Sequence, residues 1–255
     1  METTVKEGKY IYCIIRAGKP ESFGPMGIGG RGDKLYTIHF NDIAAVVSDA
    51  PIMVYRLSRE NMLAHEKAIE EVMKKHTVLP VRFSTITENE NKVKKILEKE
   101  YSKFKELLNT TEGKKELGLK AVFNRDIVYR DIVKKYNDIK TLKEKVASLS
   151  PEKTYYQRME IGKMVEDALQ KEKAIYKKEI LDNLSPLAIE VKDNNTYGEL
   201  MIINAAFLIE NHKEKEFDQT LNELAEKYGD TVRFKYVGKI PPFNFVNLII
   251  TTEKN

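Results

Sequence analysis

Apolar and polar positions alternate along this chain in two rhythms, one of strands and one of helices. Residues 9–16 (KYIYCIIR) form a continuous β-branched and aromatic run, the pattern of a strand buried on both faces. Two further apolar runs, 35–40 and 43–48, flank Asn41-Asp42, whose side chains tolerate left-handed backbone and suit a hairpin turn. Ser58 is placed to cap a helix reaching to about residue 75, with Glu60 near its positive end. Met62, His65, Ile69, Val72/Met73 and His76 recur at helical spacing and predict its inward stripe. Residues 77–83 (TVLPVRF) read as extended, with Pro80 arguing for an edge or a bulge. A 3.6 period over 89–109 predicts one helix whose face carries Val93, Ile96/Leu97, Tyr101, Phe104 and Leu107/Leu108. Residues 118–123 read as another strand.

From 125 to 184 the pattern is helical, almost without glycine and dense in Lys and Glu. Pro151, after Ser150, suits the start of a second helix. A helical hairpin or arm with a solvated face is expected there, a partner-binding helix pair being the alternative. Strands follow at 186–191 and 200–209, then an amphipathic helix at 214–228 stopped by Gly229, then strands at 232–240 and 243–251 around Pro241-Pro242. The expected class is α+β in two domains. Residues 1–123 form a mixed N-terminal domain, 124–185 a helical hairpin belonging to the C-terminal part, and 186–255 a small ferredoxin-like sheet with helical cover.

Composition narrows the classes of function. The chain has 255 residues and one cysteine, Cys13, so neither an internal disulfide nor a cysteine-built zinc site is available. No apolar run approaches a membrane span, and residues 1–9 are charged rather than signal-like, so a cytoplasmic protein is expected. The net charge is +4 from 43 basic and 39 acidic residues with signs interleaved, which argues against a nucleic-acid surface.

The motifs that resemble chemistry fail on context. Gly27-Ile-Gly-Gly-Arg-Gly32 matches G-x-G-x-x-G, yet a strand pattern follows it where a dinucleotide site needs a helix. Asp33 stands where a phosphate-binding loop needs lysine. His65 and His76 lie three helical turns apart, too far to share a metal. Cys13 sits mid-strand among apolar neighbours and reads as a buried, inert thiol. No catalytic residues, cofactor or metal ligands are expected. The aromatic stretch 234–245 reads as core, as a protein interface or as a base-stacking surface, with Phe243 and Phe245 on one strand face.

Several long words resemble one family: 43–49 (IAAVVSD), 58–67 (SRENMLAHEK) and 76–83 (HTVLPVRF), then 116–120, 204–208, 234–238 and 241–246 (PPFNFV). Together they are similar to the gas vesicle accessory proteins GvpF and GvpL, without separating the two. The resemblance implies a non-enzymatic protein with two α+β parts, the second ferredoxin-like with added helices. It also implies association with gas vesicles and with their major shell protein GvpA and other accessory proteins. The candidate contact residues are Pro80 and Arg82 on one edge segment and Tyr236, Pro241, Pro242, Phe243 and Phe245 on another, offering backbone pairing and apolar anchors. A rival reading is a small-molecule-binding or enzyme domain on a ferredoxin-like scaffold, with a polar pocket around His65, His76 and Arg82.

Overall fold

The structure, a computed structural model, describes residues 6–150, 153–246, 248 and 250. It divides into two compact units. Unit 1 holds the chain up to Glu116 and from Lys239 onward, and unit 2 holds Leu117–Gly238. The division falls inside two strands. It therefore differs from the expected boundary after residue 123, and the last residues group with unit 1 instead of the C-terminal part.

Unit 1 is an antiparallel sheet with a helical layer on each face. Its elements are β1 (Glu7–Arg16), β2 (Ser22–Phe23), β3 (Leu35–Phe40), β4 (Ile43–Pro51), α1 (Arg59–Met73), β5 (Val78–Pro80), β6 (Ile86–Thr87), α2 (Glu90–Lys99) and α3 (Tyr101–Thr111). The strand order is β2-β3-β4-β1-β5, with β6 also pairing β1. The β3–β4 hairpin turns at Asn41, whose φ of 51° is the left-handed backbone that Asn accepts. Central β1 carries a bulge where its register against β4 shifts between Ile11 and Cys13. Tyr10, Tyr12, Cys13 and Ile15 consequently face α1, while Ile11 and Ile14 face α2 and α3.

Ser58 Oγ accepts the Asn61 N–H at 3.2 Å, so α1 is capped as expected. His65, Ala68, Ile69 and Val72 are its buried face, whereas Met62 is exposed. The single helix expected at 89–109 is two, broken at Glu100 (φ −101°, ψ 12°). Apolar periodicity passes through the break because Val93, Leu97, Phe104 and Leu108 all pack on the same sheet face.

Unit 2 contains β7 (Lys114–Phe123), α4 (Arg125–Lys135), α5 (Asn137–Ala147), α6 (Tyr155–Leu184), β8 (Glu190–Asp193), β9 (Met201–Glu210), α7 (Glu214–Tyr228) and β10 (Val232–Ile240), with the last two residues of β10 and the first three of β7 counted in unit 1. The sheet order β10-β7-β9-β8 with this chain order is the split βαβ arrangement of ferredoxin-like folds. Its first strand is β7, a segment expected to end the N-terminal domain. Its first crossover is expanded into α4, α5 and α6.

The middle helices pack their apolar faces into unit 2. Val128, Ile132, Ile139, Ala168, Leu169, Ile180 and Leu184 join the core beneath the sheet with Phe207 and Phe217. The proposed helix start at Pro151 lies outside the described residues. Pro186 occupies a single 3-10 turn rather than a strand, because it lacks the N–H a ladder needs, and pairing begins at Glu190.

Candidate partner interface

A polar network inside unit 1 fixes the surface above it. The Tyr10 hydroxyl accepts the Ser84 N–H at 2.9 Å and donates to His65 Nδ1 at 3.1 Å. His65 Nε2 donates to the Val81 carbonyl at 3.1 Å. Both ring nitrogens are thereby satisfied, and burial depresses the imidazole pKa to about 4 against a weaker opposing effect of the Val81 bond, so His65 is neutral. The Tyr12 hydroxyl accepts the Ile28 N–H at 2.7 Å and bonds Ser48 Oγ at 2.9 Å. That bond pins the glycine-rich loop, which closes on itself as Gly27 N–H donates to the Asp33 carbonyl at 2.8 Å. Gly29 is required at φ +80°, and a Cβ on Gly27 would meet Asp33 Cβ at 2.7 Å. The loop is a folded turn against the core.

The rival polar pocket is not assembled. His65 is buried, Arg82 is exposed, and His76 pairs with Glu21 at 3.0 Å. Among the described residues no cluster of His, Cys, Asp and Glu could hold a metal, and no helix is long and apolar enough to cross a membrane. Burial pushes the Cys13 thiol well above its usual range.

Pro80, Arg82, Pro241, Pro242, Phe243 and Phe245 all fall in unit 1, and Tyr236 in unit 2. Pro80 is buried on β5, which ends the sheet order, and just beyond it Val81 forms an isolated parallel bridge with Leu248. Pro241 and Pro242 are buried, and Phe243–Phe245 form a turn rather than the expected strand. The Val246 N–H donates to the Pro242 carbonyl at 2.8 Å. The buried Glu116 carboxylate accepts Asn244 N–H at 2.8 Å and Asn244 Nδ2–H at 2.5 Å. The two phenylalanines therefore do not alternate on a strand face; Phe243 is 37% exposed and Phe245 half-buried. Residues 247, 249 and 251 of that expected strand lie outside the described residues. Tyr236 stacks on Phe217 at 6.1 Å and its hydroxyl donates to Asp218 at 2.6 Å, so half of this ring supports the unit 2 core.

The largest exposed apolar side chains of unit 1 lie elsewhere. Met53, Val54 and Leu57, between β4 and α1, project outward with Met62 and Leu63 of α1, and Val54 and Leu57 are 85% and 80% exposed. The loop carrying them is anchored. Tyr55 is buried, its ring edge-on to Tyr10 at 5.5 Å, its N–H on Ser84 Oγ at 3.2 Å and its hydroxyl on the Pro51 carbonyl at 3.3 Å. The Arg56 carbonyl accepts Ser58 N–H at 2.8 Å and Asn61 Nδ2–H at 3.0 Å. Five apolar side chains are thus held in water by a rigid support, flanked by the exposed Arg56 and Arg59. Five large apolar side chains exposed within eleven residues of sequence make this segment a candidate interaction site. The sequence signal for it was the run 52–57 (IMVYRL), apolar yet lying before a helix cap, and two apolar positions on α1 beside a stripe already filled.

A family model described as "Gas vesicle synthesis protein GvpL/GvpF" matches residues 8–247. The chain is 27% identical to Gas vesicle protein F of Nostoc sp. strain PCC 7120 over 96% of its own length and 100% of that relative's. It is 25% identical to Gas vesicle protein F1 of Halobacterium salinarum over 97% of each. The crystal structure of GvpF from Anabaena sp. PCC7120 matches with a TM-score of 0.80 at 26% identity, over 95% of this chain and 99% of that one. GvpF from Microcystis aeruginosa matches at 0.76 and 25%, over 96% and 100%. With both the chain-long sequence match and the shared α+β fold in place, this chain belongs to the GvpL/GvpF family of gas vesicle synthesis proteins.

Proposed function

We propose that the protein is a non-catalytic accessory factor of gas vesicle assembly that binds the shell protein GvpA, with other accessory proteins as further partners, and acts at the gas vesicle in the cytoplasm. The observation that carries the reading is the anchored apolar surface of Met53, Val54, Leu57, Met62 and Leu63. A shell that keeps liquid water out of its interior needs subunits with an apolar face, and such a face must be shielded before it is built in. Burying one large aliphatic side chain contributes about 1.5–3 kcal/mol, so a few of these five suffice for a specific, reversible contact. Because Tyr55 already fixes the loop, little conformational entropy is lost on binding.

The earlier candidates Phe243 and Phe245 remain a second contact in this proposal, while buried Pro80, Pro241 and Pro242 act by shaping the surface around Arg82. Tyr236 belongs to unit 2 and is a separate contact. The test is co-expression with GvpA and affinity capture at low and high salt. The Val54→Asp/Leu57→Asp double variant is expected to lose capture while melting like the parent chain. Full capture by this variant, with loss in Phe243→Ala/Phe245→Ala, would move the interface to the C-terminal turn. Capture by the parent chain that vanishes in high salt would refute an apolar contact.

A further inference from the structure

Unit 2 ends its sheet on β10, which has β7 on one side and no strand on the other among the described residues. The opposite edge is blunted, since β8 is only four residues long and its Glu190 and Lys192 pair with each other at 2.7 Å. By contrast, β10 runs nine residues, and Arg233, Lys235, Tyr236, Val237 and Gly238 are all exposed. An unpaired strand of this length presents a row of backbone donors and acceptors that a second chain can complete.

The side chains on this edge define the partner. Phe234 and Tyr236 stack on Tyr228 and Phe217 of α7, so alternation sends Arg233, Lys235 and Val237 to the other sheet face. On neighbouring β7, Leu117, Leu119, Ala121 and Phe123 lie in the core, which places Lys120 on that same open face. Lys120, Arg233 and Lys235 are exposed and form no ion pair or side-chain hydrogen bond among the described residues. β10 places no carboxylate on this face, and the one that β7 places there, Glu116, is buried and taken up by Asn244. A cationic open face on a ferredoxin-like sheet also suits a nucleic acid, but that binding mode stacks bases on exposed sheet aromatics. Here the two strands offer glycine, lysine, arginine and valine on that face.

We propose that β10 is a docking edge for an extended acidic segment of a partner protein, which adds to the sheet as a further strand and places alternate carboxylates against Lys120, Arg233 and Lys235. Main-chain pairing supplies the attachment and the three cations set the sign and register. This surface lies in unit 2 and stands independently of the apolar surface of unit 1.

The test is fluorescence anisotropy of the full chain with a labelled ten-residue peptide alternating Glu and Thr. Its counterparts are the same peptide N-methylated at alternate residues, a Lys/Thr peptide and a ten-nucleotide oligothymidine. Binding of the Glu/Thr peptide is expected, weakened about tenfold or more by N-methylation and by Arg233→Glu/Lys235→Glu, with no binding of the Lys/Thr peptide. Circular dichroism of the variant confirms that it is folded, and N-methylation tests the same point without altering the protein. Absence of Glu/Thr binding, equal binding of the N-methylated peptide, or tighter binding of the oligonucleotide would overturn the proposal.

Discussion

Acidification should weaken unit 1 through a single residue, His65. Its ring is enclosed by Tyr10, by Tyr12 stacked at 5.7 Å and by Phe83 edge-on at 5.6 Å, and its nitrogens meet only the Tyr10 hydroxyl and the Val81 carbonyl. No charged side chain is among these contacts to stabilise an imidazolium. The folded pKa of about 4 compares with 6.5 in an unfolded chain. Between these values the unfolded state binds more protons, so stability falls as pH falls. Integrating the linkage gives a loss of about 2 kcal/mol from pH 7 to pH 5 and about 3 kcal/mol by pH 4.

The assay is urea unfolding at pH 7, 6 and 5, followed by far-UV circular dichroism and by fluorescence from the 13 tyrosines, since the chain has no tryptophan. His65→Gln removes the titration and serves as the reference, because every other titrating group cancels in the difference. The variant should be less stable at pH 7 by about 1–3 kcal/mol, having left Tyr10 or Val81 without its partner. The gap between parent and variant should then close by about 2 kcal/mol at pH 5. Parallel pH profiles would refute the reasoning, since they would mean that His65 titrates alike in both states.

Four other outcomes follow from the same geometry. Val54→Asp and Leu57→Asp, both in water already, should change stability by no more than about 0.5 kcal/mol in a thermal melt while abolishing partner capture. Tyr55→Ala should cost about 3 kcal/mol, because it removes a buried ring under the exposed loop, and should raise hydrogen exchange across residues 52–58. Glu116→Ala should cost about 1–3 kcal/mol in urea unfolding by removing the buried acceptor of the Asn244 N–H and Nδ2–H, with Glu116→Gln costing less because one acceptor remains. Cys13 should react with a disulfide reagent only at the rate of opening in graded urea; rapid reaction in native buffer would show that β1 is not buried as described.

What was legible from the sequence alone is what local chemistry enforces. Ser58 had to cap α1, Asn41 could take a positive φ, and Gly229 could end α7 at φ 50°, so these boundaries appear where the residues place them. Helix 214–228 and strand 232–240 coincide with α7 and β10 because their apolar faces have one period and clear stops. The word-level resemblance to GvpF and GvpL was legible for the same reason, since it rests on contiguous residues.

Tertiary structure decided everything that depends on what a segment meets. The β1 bulge reverses the facing of residues after Tyr12, and no pattern in KYIYCIIR distinguishes its two faces when both are buried. The break at Glu100 is invisible because both halves serve one core. Phe243 and Phe245 are spaced as on a strand face, yet the segment turns where Glu116 captures Asn244, a partner 128 positions away. Leu248 bridges Val81 right beside the β5 edge on which Pro80 sits, a neighbour 167 positions away in sequence. Within 52–57 only Tyr55 is buried, its ring edge-on to Tyr10, while Met53, Val54 and Leu57 lie in water. Local propensity sets which conformations are cheap; which apolar groups are covered depends on long-range neighbours that only the folded chain brings into contact.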